Sequence, residues 1–375
     1  MKPSFIIIIC TLLVSCYDPY TTGVDSDEKI LVVDGMISNE TASYKVSLSY
    51  AMPFYSDDAF QPVHSAMVTV SDDLGNSFNF SDNGNGDYLS DSLEFTGQPG
   101  RSYTLHIETI EGETFESVPQ KLIKEYYPDT VYAEADYQET ISRFNEIIVT
   151  VRGANIMADI TSETDSLPRF RFTSDLVRQY FYVKNIPPPD FDPPLYLFYC
   201  WETDDISKDV NLSGNEYSLN KSSVSRQGVY FIDDRTYVEG RVYELGSLEP
   251  DLSYRGIATP YRSIYNVSHR ILYLNQYSLN AETYTYYKSM DAQLRSEGKL
   301  FDPIAVQLTG NISCTSDPEK KVYGFFEASG VSRTSYIIGF RNQRNDEYLI
   351  TRIPYRKLPH PNGCRINKAP LFWVN

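Results

Sequence analysis

The chain has 375 residues, and 50 Asp and Glu against 33 Lys and Arg give it a formal net charge of −17. So acidic a chain repels nucleic acid and anionic lipid, and neither is an expected partner. Charged residues at 22% and aromatics at 14% exclude a disordered protein, and the length suits two domains or one large β domain with ample core. Thirty-one tyrosines stand against four histidines, a bias that favours half-buried strands and surfaces that are apolar in body and polar at the tip.

The N-terminus carries Lys2 and then the apolar run Phe5-Ile6-Ile7-Ile8-Ile9-Cys10-Thr11-Leu12-Leu13, closed by Val14-Ser15-Cys16. A charged start, a short apolar stretch and a small residue before the cut form a secretory signal. The run is too short to cross a hydrocarbon core, which takes roughly 20 residues. Leu13-Val14-Ser15-Cys16 resembles the lipobox of bacterial lipoproteins. That resemblance implies that residues 1–15 are a signal peptide and that Cys16 is the lipidated first residue of a mature chain anchored on the outer membrane. Residues 16–29 are expected to be a tether, with Pro19, Gly23 and the acidic Asp25, Asp27 and Glu28 and no apolar period. Its acidic residues resemble the surface-export signals of Bacteroidetes lipoproteins.

Residues 30–122 show strands at spacings near ten residues. Ile30 to Gly35 is a buried-strand run, and Tyr44, Val46, Leu48 and Tyr50 fall on one face of the next. Ala66 to Val70, Asn76 to Ser81, Asp87 to Ser90, Ser102 to Ile107 and Thr114 to Val118 follow. Asn83-Gly84-Asn85-Gly86 is a hairpin signal between two of them. The surrounding Asp82 and Asp87 invite a calcium reading, but Gly84 and Gly86 occupy positions that need side-chain oxygens. Short strands without helix signals predict an immunoglobulin-like β-sandwich.

Pro119 to Pro128 marks a boundary, and residues 123–375 are expected to form a larger β-rich domain with one helix. Strands are predicted at Glu146 to Val151, Arg169 to Thr173, Leu195 to Trp201, Gly228 to Ile232, Val238 to Leu245, Val267 to Tyr277, Gly310 to Cys314, Val322 to Ala328, Ser335 to Arg341 and Leu349 to Ile353. Ile186 to Pro194 holds five prolines, so it is a stiff extended segment rather than a ladder strand. Its aromatic flank, Phe191, Tyr196 and Phe198, is the candidate partner-binding surface, because a stiff segment loses little entropy on docking. The helix is predicted over Ala281 to Glu297, with Asn280 as N-cap and Gly298 as stop. Tyr284, Tyr287, Met290 and Leu294 recur on it at helical spacing.

The chemistry-bearing residues are sparse. No H-E-x-x-H, G-x-S-x-G or P-loop is present. His106 lies on the polar side of its strand, and His269 shares a face with Val267, Ile271 and Tyr273. These observations assign no catalytic residue, metal or cofactor. Past Cys16 the cysteines are Cys200, Cys314 and Cys364, at spacings unlike any zinc pattern. In an oxidising compartment they predict one disulfide among the three and one thiol left over.

Several stretches taken in order resemble a family of Bacteroidetes lipoproteins, the domain of unknown function 4249. They include Leu31-Val32-Val33-Asp34-Gly35-Met36-Ile37, Gly86-Asp87-Tyr88, Gly100-Arg101-Ser102-Tyr103-Thr104-Leu105, Cys200-Trp201, Leu274 to Tyr287, Gly310-Asn311-Ile312, Asp317-Pro318 and Gly324-Phe325-Phe326. Members of that family are typically encoded beside a TonB-dependent receptor. The resemblance therefore implies a surface accessory protein for such a receptor, and with the catalytic motifs absent the reading is a non-catalytic surface lipoprotein, an accessory or ligand-binding partner of that receptor, with the ligand class open. An envelope structural or adhesion protein is the first alternative, and a surface hydrolase the second.

Overall fold

The computed structural model describes residues 29–51, 61–91, 95–141, 147–162, 168–185, 195–205, 210–213, 222–233, 263–295, 308, 310–338, 340–341 and 348–349. Backbone alone is described at 178–185, 195–202, 204–205, 233, 263–269, 340–341 and 348–349. The protein is mainly β, with one helix among these residues.

The first third of the chain supplies β1 (Leu31–Ser38), β2 (Lys45–Tyr50), β3 (Gln61–Pro62), β4 (Met67–Asp72), β5 (Ser77–Asp82), β6 (Asp87–Ser90), β7 (Ser102–Glu108), β8 (Thr114–Ser117) and β9 (Gln120–Lys121). The alternation read from the sequence is the cause of these strands. Val46, Leu48 and Tyr50 of β2 point inward, as do Tyr103, Leu105 and Ile107 of β7. At the β5–β6 turn, Gly84, Asn85 and Gly86 all have positive φ and the Asp82 carboxylate accepts from the Gly84 amide, so the six residues form the expected hairpin.

Longer strands follow: β10 (Thr130–Ile141), β11 (Ile148–Thr161), β12 (Phe170–Asn185), β13 (Leu195–Asp205), the short β14 (Asn211–Leu212), β15 (Ser223–Asp233) and β16 (Ser263–Ser278). Then come α1 (Ala281–Leu294), β17 (Ile312–Cys314), β18 (Val322–Ile338), β19 (Phe340–Arg341) and β20 (Tyr348–Leu349). The strand predicted at Val238 to Leu245 lies outside the described residues.

The strands expected to make a separate sandwich are present, but they lie side by side in one large sheet ordered β13-β12-β16-β18-β1-β2-β6-β5-β4-β7-β8-β17. The boundary expected at residue 122 is crossed twice by hydrogen-bonded strands. β18 runs parallel to β1 along all eight of its residues, and β17 pairs with β8. The sheet curls, so inward residues of β1, β2 and β6 meet those of β4, β7 and β8 in one core around Phe95. The Phe95 ring stacks on Phe78 at 4.1 Å and meets Tyr44 and Tyr103 edge-on. Each such side chain contributes about 1.5–3 kcal/mol by leaving water.

A second core forms where Phe170, Phe172, Leu272 and Leu274 of β12 and β16 pack on Ile156, Val224, Val229 and Ile232 of the three-stranded sheet β10-β11-β15. β18 touches both cores. Its residues Phe325 to Ser332 are all buried, so both faces of the strand are covered. Gly324 makes its close approach to β1 feasible: φ is +105°, and a Cβ there would sit 1.8 Å from the Val33 carbonyl oxygen.

Candidate functional site

The helix α1 is where the large sheet acquires a chemically distinctive face. Its first turn is set by Asn280, whose side-chain oxygen accepts from the Thr283 amide at 2.8 Å, as the sequence predicts. The side chain of Gln120 on β9 then fixes the helix start. It donates to Glu282 at 2.9 Å and accepts from Asn280 at 2.8 Å and from Thr283 at 3.3 Å. Farther along, the Tyr284 hydroxyl donates to the Ser213 carbonyl at 2.6 Å, and the Tyr286 ring stacks on Phe325 with centroids 4.4 Å apart. Leu294, the end of the expected apolar stripe, is 66% exposed. The helix is therefore held by tyrosines and one amide rather than by a leucine seam.

Beneath it lies a charged cluster. Glu327 of β18 is 2% exposed. Its carboxylate accepts from Arg171 Nη2 at 3.2 and 3.3 Å, from Ser329 Oγ at 2.6 Å and from the Tyr287 hydroxyl at 2.6 Å. The Arg171 guanidinium lies over two rings, 4.0 Å from the Tyr277 centroid and 4.6 Å from that of Tyr287. Burial opposes the charge on Arg171, but the Glu327 carboxylate, joined by Tyr287 and Tyr277, outweighs it and holds the guanidinium above its usual range. Burial first, and then the same carboxylate, push the Tyr287 phenol up, so it stays a protonated donor at neutral pH. Arg171 and Glu327 pair within the cluster, and the Tyr287 bond to Glu327 ties α1 to it.

That anchoring leaves one side of α1 as a wall of a cleft of about 660 Å³. The volume falls within the roughly 300–1,000 Å³ typical of small-molecule sites. Tyr284, Lys288, Asp291 and Arg295 line it from the helix side, Phe172 and Ser174 from β12, and Asn155, Gly228, Val229 and Phe231 from the three-stranded sheet. Asp291 and Arg295 bridge at 2.7 Å. Asn211 donates to the carbonyls of Gly228 at 3.1 Å and Val229 at 2.9 Å.

The residues singled out from the sequence fall elsewhere. Cys16, Phe191 and Cys364 lie outside the described residues. Tyr196, Phe198 and Cys200 take alternate positions on β13, the terminal strand of the large sheet, opposite Lys184, Tyr182 and Tyr180 of β12. Cys314 is a buried free thiol, its Sγ 3.3 Å from Ser316 Oγ. His106 bonds Ser71 at 2.8 Å and faces Glu116 at 3.4 Å on the strand's outer side, a local surface contact. Arg171, Glu327 and Gln120 were not singled out by the sequence. A lone glutamate inside Gly-Phe-Phe-Glu-Ala was the available signal, because unpaired charges are almost never buried.

The family model described as a domain of unknown function, DUF4249, matches residues 17–335 of this chain. The match covers most of the sequence, and the chain belongs to that family. A comparison with curated proteins returned no match.

Proposed function

We propose that this DUF4249 protein is a non-catalytic lipoprotein of the outer-membrane surface, which holds a ligand in the α1 cleft and serves as accessory partner to a TonB-dependent receptor. The observation that carries the reading is Leu13-Val14-Ser15-Cys16 directly after a short apolar run. The cleft supports the binding role. Its size suits a small molecule, and its wall is a helix locked by buried polar contacts, so little ordering entropy is lost when a ligand enters. Its Asp291 and Arg295 are committed to each other and so not poised as an acid–base pair. The receptor contact is assigned to Phe191, Tyr196 and Phe198; the last two lie on β13, which among the described residues is the terminal strand of the large sheet.

Two measurements test this. Metabolic labelling with a fatty-acid analogue should mark the wild type and not Cys16→Ser, which should leave the membrane fraction; label retained in the variant refutes the anchor. Phe191→Ala with Tyr196→Ala should lower recovery of the receptor from solubilised outer membrane while the melting temperature holds. Equal recovery from the folded double variant places the contact elsewhere.

A further inference from the structure

We infer that the ligand of the α1 cleft is a short neutral oligosaccharide whose terminal ring stacks on Phe231. This deepens the binding role proposed above and rests on it. The inference starts from Gly153 on β11. A Cβ there would lie 2.4 Å from Phe231 Cζ, so the phenyl ring of β15 lies over a bare stretch of neighbouring backbone. The ring is half-buried, lines the cleft and has no aromatic partner among the described residues. A platform of this kind is otherwise costly to leave facing water.

Amides stand at its margin. The Gln138 side chain is exposed on the cleft wall and has no hydrogen-bond partner among the described residues. Asn155, across the cleft wall, donates its Nδ2 to Asp136, leaving its oxygen as an acceptor. A pyranose has a face of C–H groups and a rim of hydroxyls that both donate and accept. An aromatic face takes the first, and carboxamides, which also donate and accept, take the second.

Two competing ligand classes fit worse. An extended peptide would add to the outer edge of β15, but Asn211 already occupies the Gly228 and Val229 carbonyls there. An anion would need uncompensated positive charge, whereas Arg295 is bridged to Asp291 within the same wall and Lys288 is not free either.

Gly228 supplies a clean test. It lines the cleft, its backbone is ordinary, and a Cβ there meets nothing within 4 Å. Gly228→Trp therefore sets a bulky ring on the cleft lining with no clash at Cβ and no strained backbone. The full mature protein is screened on an array of neutral oligosaccharides built from glucose, galactose, mannose and N-acetylglucosamine, and the strongest binder is titrated by calorimetry. Gly228→Trp and Phe231→Ala should each weaken it by about tenfold or more, with melting temperature unchanged in Gly228→Trp. Gln138→Ala, on an exposed strand position, should weaken it less. Absence of binding to any oligosaccharide, or equal affinity in wild type and Gly228→Trp, overturns the proposal. Receptor recovery and fatty-acid labelling run in parallel separate the two readings. If they persist without saccharide binding, only the ligand class fails. If they too are lost, the accessory role fails.

Discussion

At the scale of single residues, Glu327 and Arg171 decide how the polar face of the large sheet is organised. Glu327 is buried, the Arg171 side chain is largely covered, and each is the other's ion-pair partner. Removing one partner leaves an uncompensated charge, which costs about 3–5 kcal/mol, whereas replacing both by apolar groups of similar volume is often neutral. Glu327→Gln should therefore lower the denaturation midpoint sharply, and Arg171→Met with Glu327→Leu should recover most of the loss. A double variant as unstable as the worse single one would show that the tyrosines and Ser329, rather than the ion pair, carry the cluster. Tyr287→Phe isolates one of those bonds. A hydrogen bond to a charged group contributes about 1.5–3 kcal/mol, and the variant should lose an amount in that range. Cys314 makes a second residue-scale case. Its free thiol leaves Cys200 and Cys364 as the expected pair, whose closure would add about 5 kcal/mol in the chain-entropy account. Alkylation of the unfolded, unreduced mature protein should label Cys314 alone. Label on all three cysteines would refute the pair.

At the scale of elements, what the sequence disclosed follows from how strongly each element alternates. β2 and β7 place valine, leucine, isoleucine and tyrosine at every second position, and their limits agree with the reading to within a residue or two. β10 was missed. The residues it packs on the second core are Val131 and Ala133 alone, the alanine too small to give a strong period, and much of its length is exposed. β18 was split into two predicted strands because the stretch around Gly330-Val331-Ser332 lacks alternation; buried on both faces, it has no polar side to alternate with. The helix was legible at its start because capping is local chemistry, and Asn280 is three residues from the amide it caps. Asn280→Ala should cost about 1 kcal/mol for the cap alone, and more if the bond to Gln120 counts. Melting measurements on Asn280→Ala and Gln120→Ala, singly and together, should show coupling; strict additivity would mean that the two do not act on one helix start. The cleft itself was illegible, since Phe231, Gly153, Gln138 and α1 meet only through pairings between distant strands, which no local pattern in a single sequence encodes.

At the scale of the whole molecule, the consequence of one sheet carrying two cores is cooperativity. The core around Phe95 and the core around Phe172 draw on different strands except for β18, and as separate domains they would unfold separately. Here β18 contributes Phe326 and Ala328 to the first and Ile338 to the second. It is also paired along β1 in parallel and along β16 antiparallel. Releasing β18 from either neighbour opens both cores at once. The wild type should therefore unfold in urea in a single transition, with coincident midpoints by far-ultraviolet circular dichroism and by aromatic fluorescence. The seam offers a way to check the cause. Gly324→Ala forces a Cβ against the Val33 carbonyl oxygen at a backbone angle that L side chains rarely adopt. If the seam couples the cores, this variant should lower the midpoint of both probes together. If instead Gly324→Ala shifts one probe and leaves the other in place, the two cores are independent units that share only a hydrogen-bonded border. The α1 cleft would then belong to the second unit alone, since none of its lining residues comes from the strands around Phe95.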